Sequence, residues 1–200
     1  EKNKGSTSLM LRKKLSQEAF NLTAYYDSVI SEYLSINNKN YFPKKKTTHG
    51  NLIEVLRYGE NPHQQSAIYG KNNNLDIIQL SGKKLSYNNY NDIYASLSIS
   101  KTLPKNIGTV VVKHANPCGV SINKDKILSV KEALACDPIS AFGGIVSCNF
   151  KVTKKAAVEL NKLFLEVIIG TGFDKDSLKI LKKKKNLRLI DASQLNNQSL

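Results

Sequence analysis

From Leu11 to Leu34 apolar residues return every three or four positions, at Leu11, Leu15, Ala19, Leu22, Tyr26, Val29 and Tyr33, which predicts an amphipathic helix. At 1.5 Å per residue it would be about 36 Å long. The pattern runs out in Asn37-Asn38-Lys39-Asn40, and Pro43 with Lys44-Lys45-Lys46 reads as a linker. A domain boundary is therefore expected there, with residues 1–45 as helix plus linker and 46–200 as a second domain. Beyond the linker, short apolar runs alternate with helical patterns. Ala67-Ile68-Tyr69 and Ile77-Ile78-Gln79-Leu80 flank Lys71-Asn72-Asn73-Asn74 and predict a hairpin. Helices are predicted over 92–101, 130–136, 153–165 and 177–184, and buried strands over 109–112, 144–147 and 167–169. This alternation implies a layered α/β domain with a largely parallel or mixed sheet.

Two hundred residues suffice to bury a real core. No apolar stretch approaches the roughly 20 residues of a membrane span, and Glu1-Lys2-Asn3-Lys4 leads into no apolar signal region. A start at Glu1 rather than Met gives the expectation of a piece of a longer protein. Cys118, Cys136 and Cys148 form no Cys-x-x-Cys pair, so a reducing cytoplasm is expected. The formal charge of +14 opens a nucleic-acid reading. In that alternative the chain is a basic RNA or single-stranded DNA module, with Tyr25, Tyr26, Tyr41, Tyr58, Tyr69, Tyr87 and Tyr90 as stacking platforms. Much of the charge lies in Lys44–Lys46 and Lys182–Lys185, which read more simply as solvated surface.

The chemistry-bearing stretch is Lys113-His114-Ala115-Asn116-Pro117-Cys118-Gly119, directly after Val110-Val111-Val112. Neighbours inside a strand point to opposite faces, so Lys113 and His114 serve one site only if the strand ends and the chain turns. Asn116-Pro117-Cys118-Gly119 is the expected turn. Histidine can take a proton near neutral pH and lysine can stabilise a developing oxyanion. Ligands of open α/β sheets lie beyond the carboxyl ends of strands, where this pair falls. Upstream, Arg57-Tyr58-Gly59-Glu60-Asn61-Pro62-His63-Gln64 offers a guanidinium fork and a ring at a Gly bend. Downstream, in Asp137-Pro138-Ile139-Ser140-Ala141-Phe142-Gly143-Gly144, two readings of Phe142 stand: an aromatic wall for a flat heterocycle, with Gly143 allowing close backbone approach, or simply a core residue at a strand entrance. Ser86-Tyr87-Asn88-Asn89 adds polar groups.

His114, Pro117 and Cys118 faintly echo the zinc signature of nucleobase deaminases. Asn116 replaces the acidic group, however, and Ser121 stands where a second thiolate is needed, so no metal is expected. Cys118 reads as a small buried thiol rather than a nucleophile.

In this order the three segments resemble the family of bifunctional purine-biosynthesis enzymes that join a folate-dependent transformylase to inosinate cyclohydrolase. The resemblance implies that residues 1–45 are the closing helix of the cyclohydrolase domain, and that 46–200 are the first part of the transformylase domain. That part would have a cytidine-deaminase-like α/β/α fold without the metal. It further implies formyl transfer from 10-formyltetrahydrofolate to the 5-amino group of aminoimidazole carboxamide ribonucleotide, in a cytoplasmic homodimer, with no nucleic acid or membrane partner. By the same resemblance His114 is the general base and Lys113 stabilises the tetrahedral oxyanion. Arg57, Tyr58, His63, Asn89, Phe142, Gly143 and Glu166 contact the nucleotide. Where the family usually has Ala-Pro-Gly, this chain has Gly170-Thr171-Gly172, so a more mobile loop and a less firmly held Glu166 are expected. The chain alone is expected to be inactive, because the catalytic part of the cyclohydrolase and the second transformylase subdomain lie outside it.

Overall fold

A computed structural model describes residues 5–71 and 75–197 of the chain. It divides into two compact units, Glu1–Ile53 with Tyr69–Asn73, and Glu54–Ile68 with Asn74–Leu200. Among the described residues no helix is long and apolar enough to cross a membrane.

In the first unit α1 (Leu9–Asn37) begins at Ser8, whose hydroxyl accepts from the Leu11 amide, and ends at Asn38. The helix expected from the periodicity is present, but the predicted stripe is not its covered side. Leu11, Leu15, Leu22, Tyr26, Val29 and Tyr33 are exposed, whereas Tyr25, Ser28, Glu32 and Ser35 are covered. The covered side is organised by His49, whose ring meets Tyr25 edge-on at 5.5 Å. Its Nε2 lies 3.5 Å from Glu32, and Lys71 also pairs with Glu32. Hydrogen bonding to Lys71 holds the Glu32 carboxyl below its ordinary range.

The second unit is built on a six-stranded sheet. Its strands are β3 (Ile78–Ser81), β4 (Gly108–Lys113), β5 (Asn116–Ile122), β6 (Ile145–Cys148), β7 (Val167–Gly170) and β8 (Arg188–Asp191), in the spatial order β3-β8-β7-β6-β4-β5. β6, β7 and β8 are parallel, while β3, β4 and β5 each pair antiparallel with their neighbours. The sheet is mixed, and the fold is α/β. Strand alternation sorts the core into two faces. Ile145, Val167, Ile169 and Ile190 pack with Ile93 and Leu97 of α2 (Tyr87–Thr102). Val146, Cys148, Ile168 and Leu189 pack with α3 (Lys126–Ala135), α5 (Lys154–Leu160) and α6 (Lys175–Leu181). Burial pushes the Cys148 thiol up to about 12.

Several elements differ from the pattern-based expectation. The expected hairpin does not form: β2 (Ala67–Gly70) pairs with β1 (Asn51–Val55), and β3 pairs with β8. The expected turn residues 72–74 lie outside the described residues. Asn116–Gly119 is not a turn but the start of β5, and the reversal occurs earlier, at His114-Ala115, between the paired residues Lys113 and Asn116. Pro117 is tolerated because β5 is an edge strand. Val111 pairs with Gly119 and Val112 with Pro117, so Cys118 is the extra residue of a bulge. The helix expected to reach Leu165 stops at Leu160. There the Lys184 ammonium donates to the carbonyls of Asn161 (2.6 Å) and Leu163 (2.9 Å), so one lysine of the basic run is structural. β1, β5, β8 and the short α4 (Pro138–Ala141) were not evident from the pattern, because each is short or carries a proline or a charge.

Two local features hold the helices on the sheet. At Gly119 an added Cβ would lie 2.0 Å from the Ala133 carbonyl oxygen, so α3 sits on β5 only because this residue has no side chain. Asp174 caps two helices at once. Its carboxylate accepts from the Ser177 amide of α6 (2.6 Å) and from the Lys154 amide of α5 (2.9 Å), whose own N-cap, Thr153, makes no side-chain cap. These bonds, the Ser177 amide foremost, hold the Asp174 carboxyl below its ordinary value.

Gly119→Val should destabilise the fold by about 3 kcal/mol or more, measured by urea unfolding, because backbone must move to admit the side chain. Asp174→Ala should cost about 1 to 2 kcal/mol at pH 7. Because its folded pKa is depressed, the Asp174 contribution is complete above the unfolded value near 3.9 and is lost as pH falls through the folded value. The variant's stability should therefore fall less steeply than wild type on the acid side, measured as unfolding midpoint against pH.

Candidate functional site

The antiparallel pairing of β4 with β6 sets Val112 opposite Ile145, and the parallel register sets Ile145 opposite Val167 and Val167 opposite Arg188. Lys113, Gly143-Gly144, Glu166 and Arg188 therefore lie along one end of the sheet. For β4 this is the carboxyl end, as expected, but for the parallel strands β6, β7 and β8 it is the amino end. From β4 to β8 are three strand steps, about 14 Å at the usual spacing.

Most of the expected site residues fall into two clusters on this end. The first surrounds the β4–β5 hairpin. The Lys113 ammonium donates to the Phe142 carbonyl at 2.7 Å. Phe142 closes α4, is 55% exposed rather than core, and packs its ring 5.3 Å from Phe164. Gly143 has φ 73°, and its amide donates to the Phe164 carbonyl at 2.8 Å. Asp137 caps α4 through the Ser140 amide at 3.0 Å. The Ser140 hydroxyl and amide hold its carboxyl below the ordinary range, with a smaller contribution from the Lys113 charge.

His114 is exposed, with φ 52°, and Ala115 follows with φ 59°. Two consecutive positive φ values make a two-residue hairpin turn of the kind usually filled by Asn-Gly. For residues with a Cβ this conformation costs about 1 to 2 kcal/mol each. Two bonds hold the turn: the Ala115 amide donates to the Asp92 carboxylate at 2.7 Å, and the Asn116 carboxamide donates to the His114 carbonyl at 2.8 Å. Cys118 is partly covered, and burial with the nearby Asp137 charge raises its pKa, away from the thiolate a nucleophile requires. Among the described residues no three His, Cys, Asp or Glu side chains converge as a metal-holding group.

The second cluster lines a cavity of about 320 Å³ bounded by Arg57, Tyr58, Lys83, Lys84, Leu85, Ser86 and Arg188. The Arg57 guanidinium lies 5.6 Å from the centre of the Tyr58 ring. Lys84 pairs with Glu54 at 2.9 Å, and Glu54 also accepts from the Tyr90 hydroxyl at 2.9 Å. Burial, then that bond to Glu54, raises the Tyr90 pKa. Asn89 is buried, donates to Glu166 at 2.9 Å, and accepts from the Ser86 amide and hydroxyl in a capping box at the start of α2. Glu166 also lies 3.7 Å from the Arg188 guanidinium. This cavity does not include Lys113, His114, Phe142 or Gly143.

His63 joins neither cluster. It is exposed on the loop closed by the Gly59 amide donating to the Gln64 carbonyl. Lys83, Lys84, Arg188 and Asp92 were missed by sequence reasoning. Arg188 carries no motif, and only strand pairing brings it beside Glu166. Gly170-Thr171-Gly172 lies at the opposite end of β7 from Glu166. It is tied by the Thr171 amide to the Phe150 carbonyl and by the Val152 amide to the Gly172 carbonyl. Of the tyrosines offered as stacking platforms, Tyr25, Tyr58 and Tyr90 are engaged with His49, Arg57 and Glu54.

The chain is also similar in sequence to known proteins. The chain is 42% identical over 192 residues to the bifunctional purine biosynthesis protein PurH of Caulobacter vibrioides, which covers 93% of this chain and 36% of that protein. It is 44% identical to the PurH proteins of Prochlorococcus marinus and Persephonella marina, covering 95% and 94% of this chain and 39% and 38% of theirs. The chain thus spans somewhat more than a third of the length of these relatives. A profile described as the AICARFT/IMPCHase bienzyme matches residues 1–200, and the chain belongs to that family of bifunctional purine-biosynthesis enzymes.

Proposed function

We propose that the chain carries part of a transformylase site that moves a formyl group from 10-formyltetrahydrofolate to the 5-amino group of aminoimidazole carboxamide ribonucleotide. In this reading the whole protein also closes the ring to inosinate, residues 1–45 end its cyclohydrolase domain, and 46–200 begin a metal-free, cytidine-deaminase-like transformylase domain. The observation that supports the reading is that Lys113, His114, Phe142, Gly143, Glu166 and Arg188 lie in two clusters along one end of one sheet, with Arg57 and Tyr58 in the cavity that Arg188 lines.

The chemistry follows from what these groups offer. The substrate amine is conjugated with the imidazole and its carboxamide, so its lone pair is a poor nucleophile. His114 removes its proton as the nitrogen attacks the formyl carbon. The carbonyl oxygen becomes an oxyanion that the Lys113 ammonium stabilises. Collapse breaks the bond to the folate nitrogen, which leaves with a proton, and the formyl group remains on the amine. Phe142 and Gly143 line the flat heterocycle. The cationic cavity with Arg57 and Tyr58 suits the anionic end of a nucleotide, with Glu166 and Asn89 reading polar atoms beside it and His63 assisting from its loop. The full enzyme works as a cytoplasmic homodimer. Because the chain spans only part of its relatives' length, it is inactive alone.

In the full-length enzyme, His114→Ala and Lys113→Ala should each lower formyl transfer by a factor on the order of 10²–10⁴. Near-wild-type turnover by either variant in a formyl-transfer assay overturns the corresponding role.

A further inference from the structure

The hairpin that presents His114 is built from two non-glycine residues with positive φ, 52° at His114 and 59° at Ala115. Such a backbone persists only where its surroundings over-determine it, and it gathers at functional sites. Its support from outside the hairpin is the Asp92 carboxylate on α2, which accepts from the Ala115 amide at 2.7 Å. Asp92 stands three residues after Asn89, so the two occupy one helix face. Asn89 in turn donates to Glu166 at 2.9 Å. One face of α2 thus touches both clusters of the candidate site, and its first turn is locked by the Ser86–Asn89 capping box.

We infer that Asp92 is a positioning residue: through the Ala115 amide it holds the left-handed turn that fixes where the His114 imidazole is presented. The inference rests on the catalytic reading of His114. Without the clamp the turn relaxes toward conformations that cost a Cβ-bearing residue less, and the imidazole leaves its place. The carboxylate acts as a hydrogen-bond acceptor rather than as a proton carrier, so a carboxamide oxygen of the same reach can replace it.

The test is a mutant cycle in the full-length enzyme, read as kcat and KM of formyl transfer beside the melting temperature. Asp92→Ala should lower kcat on the order of 10²-fold, the penalty of a misplacement near 1 Å, with a smaller change in KM. Asp92→Asn should stay within about threefold of wild type, because it still accepts from the amide. Asp92→Ala combined with His114→Ala should be no slower than His114→Ala alone, since residues acting through one group are not additive. A double variant slower by the whole Asp92→Ala factor marks a general structural role and overturns the inference, as does wild-type kcat in Asp92→Ala. Should Asp92→Ala unfold, the comparison moves to the Ala115→Gly background, where glycine needs no clamp. There Asp92→Ala should cost less than about threefold, since the acceptor's work is gone, and a larger loss overturns the inference. A slow His114→Ala beside a fast Asp92→Ala defeats this inference alone, whereas a fast His114→Ala defeats the catalytic reading and this inference with it.

Discussion

The reversal of direction between β4 and β6 is the constraint on which the candidate site depends. Because Val112 lies opposite Ile145 in an antiparallel pair, and Ile145 opposite Val167 in a parallel one, the carboxyl end of β4 falls at the same sheet end as the amino ends of β6 and β7. Had β4 run parallel to β6, Lys113 and Glu166 would stand at opposite ends of the sheet, about 13 to 20 Å apart for strands of four to six residues. The rule that ligands lie beyond the carboxyl ends of strands therefore applies here to β4 alone. The three parallel strands contribute their amino ends, with Gly143-Gly144, Glu166 and Arg188 entering from the connections that precede or begin them.

Helix α2 ties the two halves of that sheet end together. Its capping box fixes Asn89, Asn89 reaches Glu166, and Asp92 reaches the hairpin. The energies differ in kind. Arg188 lies 3.7 Å from a Glu166 side chain that is 45% exposed, a pair worth at most about 1 kcal/mol and better understood as orienting than as stabilising. The Asp92 bond is charge-assisted and worth about 1.5 to 3 kcal/mol, comparable with the roughly 2 to 4 kcal/mol that two left-handed residues with a Cβ demand. The turn can exist because the two quantities are of similar size. Gly119 plays a complementary part on the other side of the hairpin, since its missing side chain lets α3 close on β5. A Gly that looked like a turn former is there for packing.

Much of the architecture was legible in the sequence where burial is continuous. Val110-Val111-Val112, Val167-Ile168-Ile169 and Ile145-Val146 are buried on both faces and read as apolar runs. The helix over Leu9–Asn37 was legible from its period, but which side of it is covered was not. Apolar periodicity marks a side able to be buried, while here a histidine and its partners Tyr25, Ser28 and Glu32 form the covered side. Strands β5 and β8 were obscured by Pro117 and Arg188, residues whose tolerance depends on an edge position and on a neighbouring carboxylate.

The sequence by itself determined an α/β domain, the identity of its buried strands, and the three polar segments that carry the family likeness, because hydrophobic period and residue chemistry are local properties. Only the tertiary structure decided that the chain reverses at His114-Ala115, that Asp92 and Arg188 stand behind His114 and Glu166, and that Arg57 shares a cavity with Arg188. Those relations arise from strand register and helix docking between residues 22 to more than 100 positions apart. No local pattern encodes which distant carboxylate will meet a given amide.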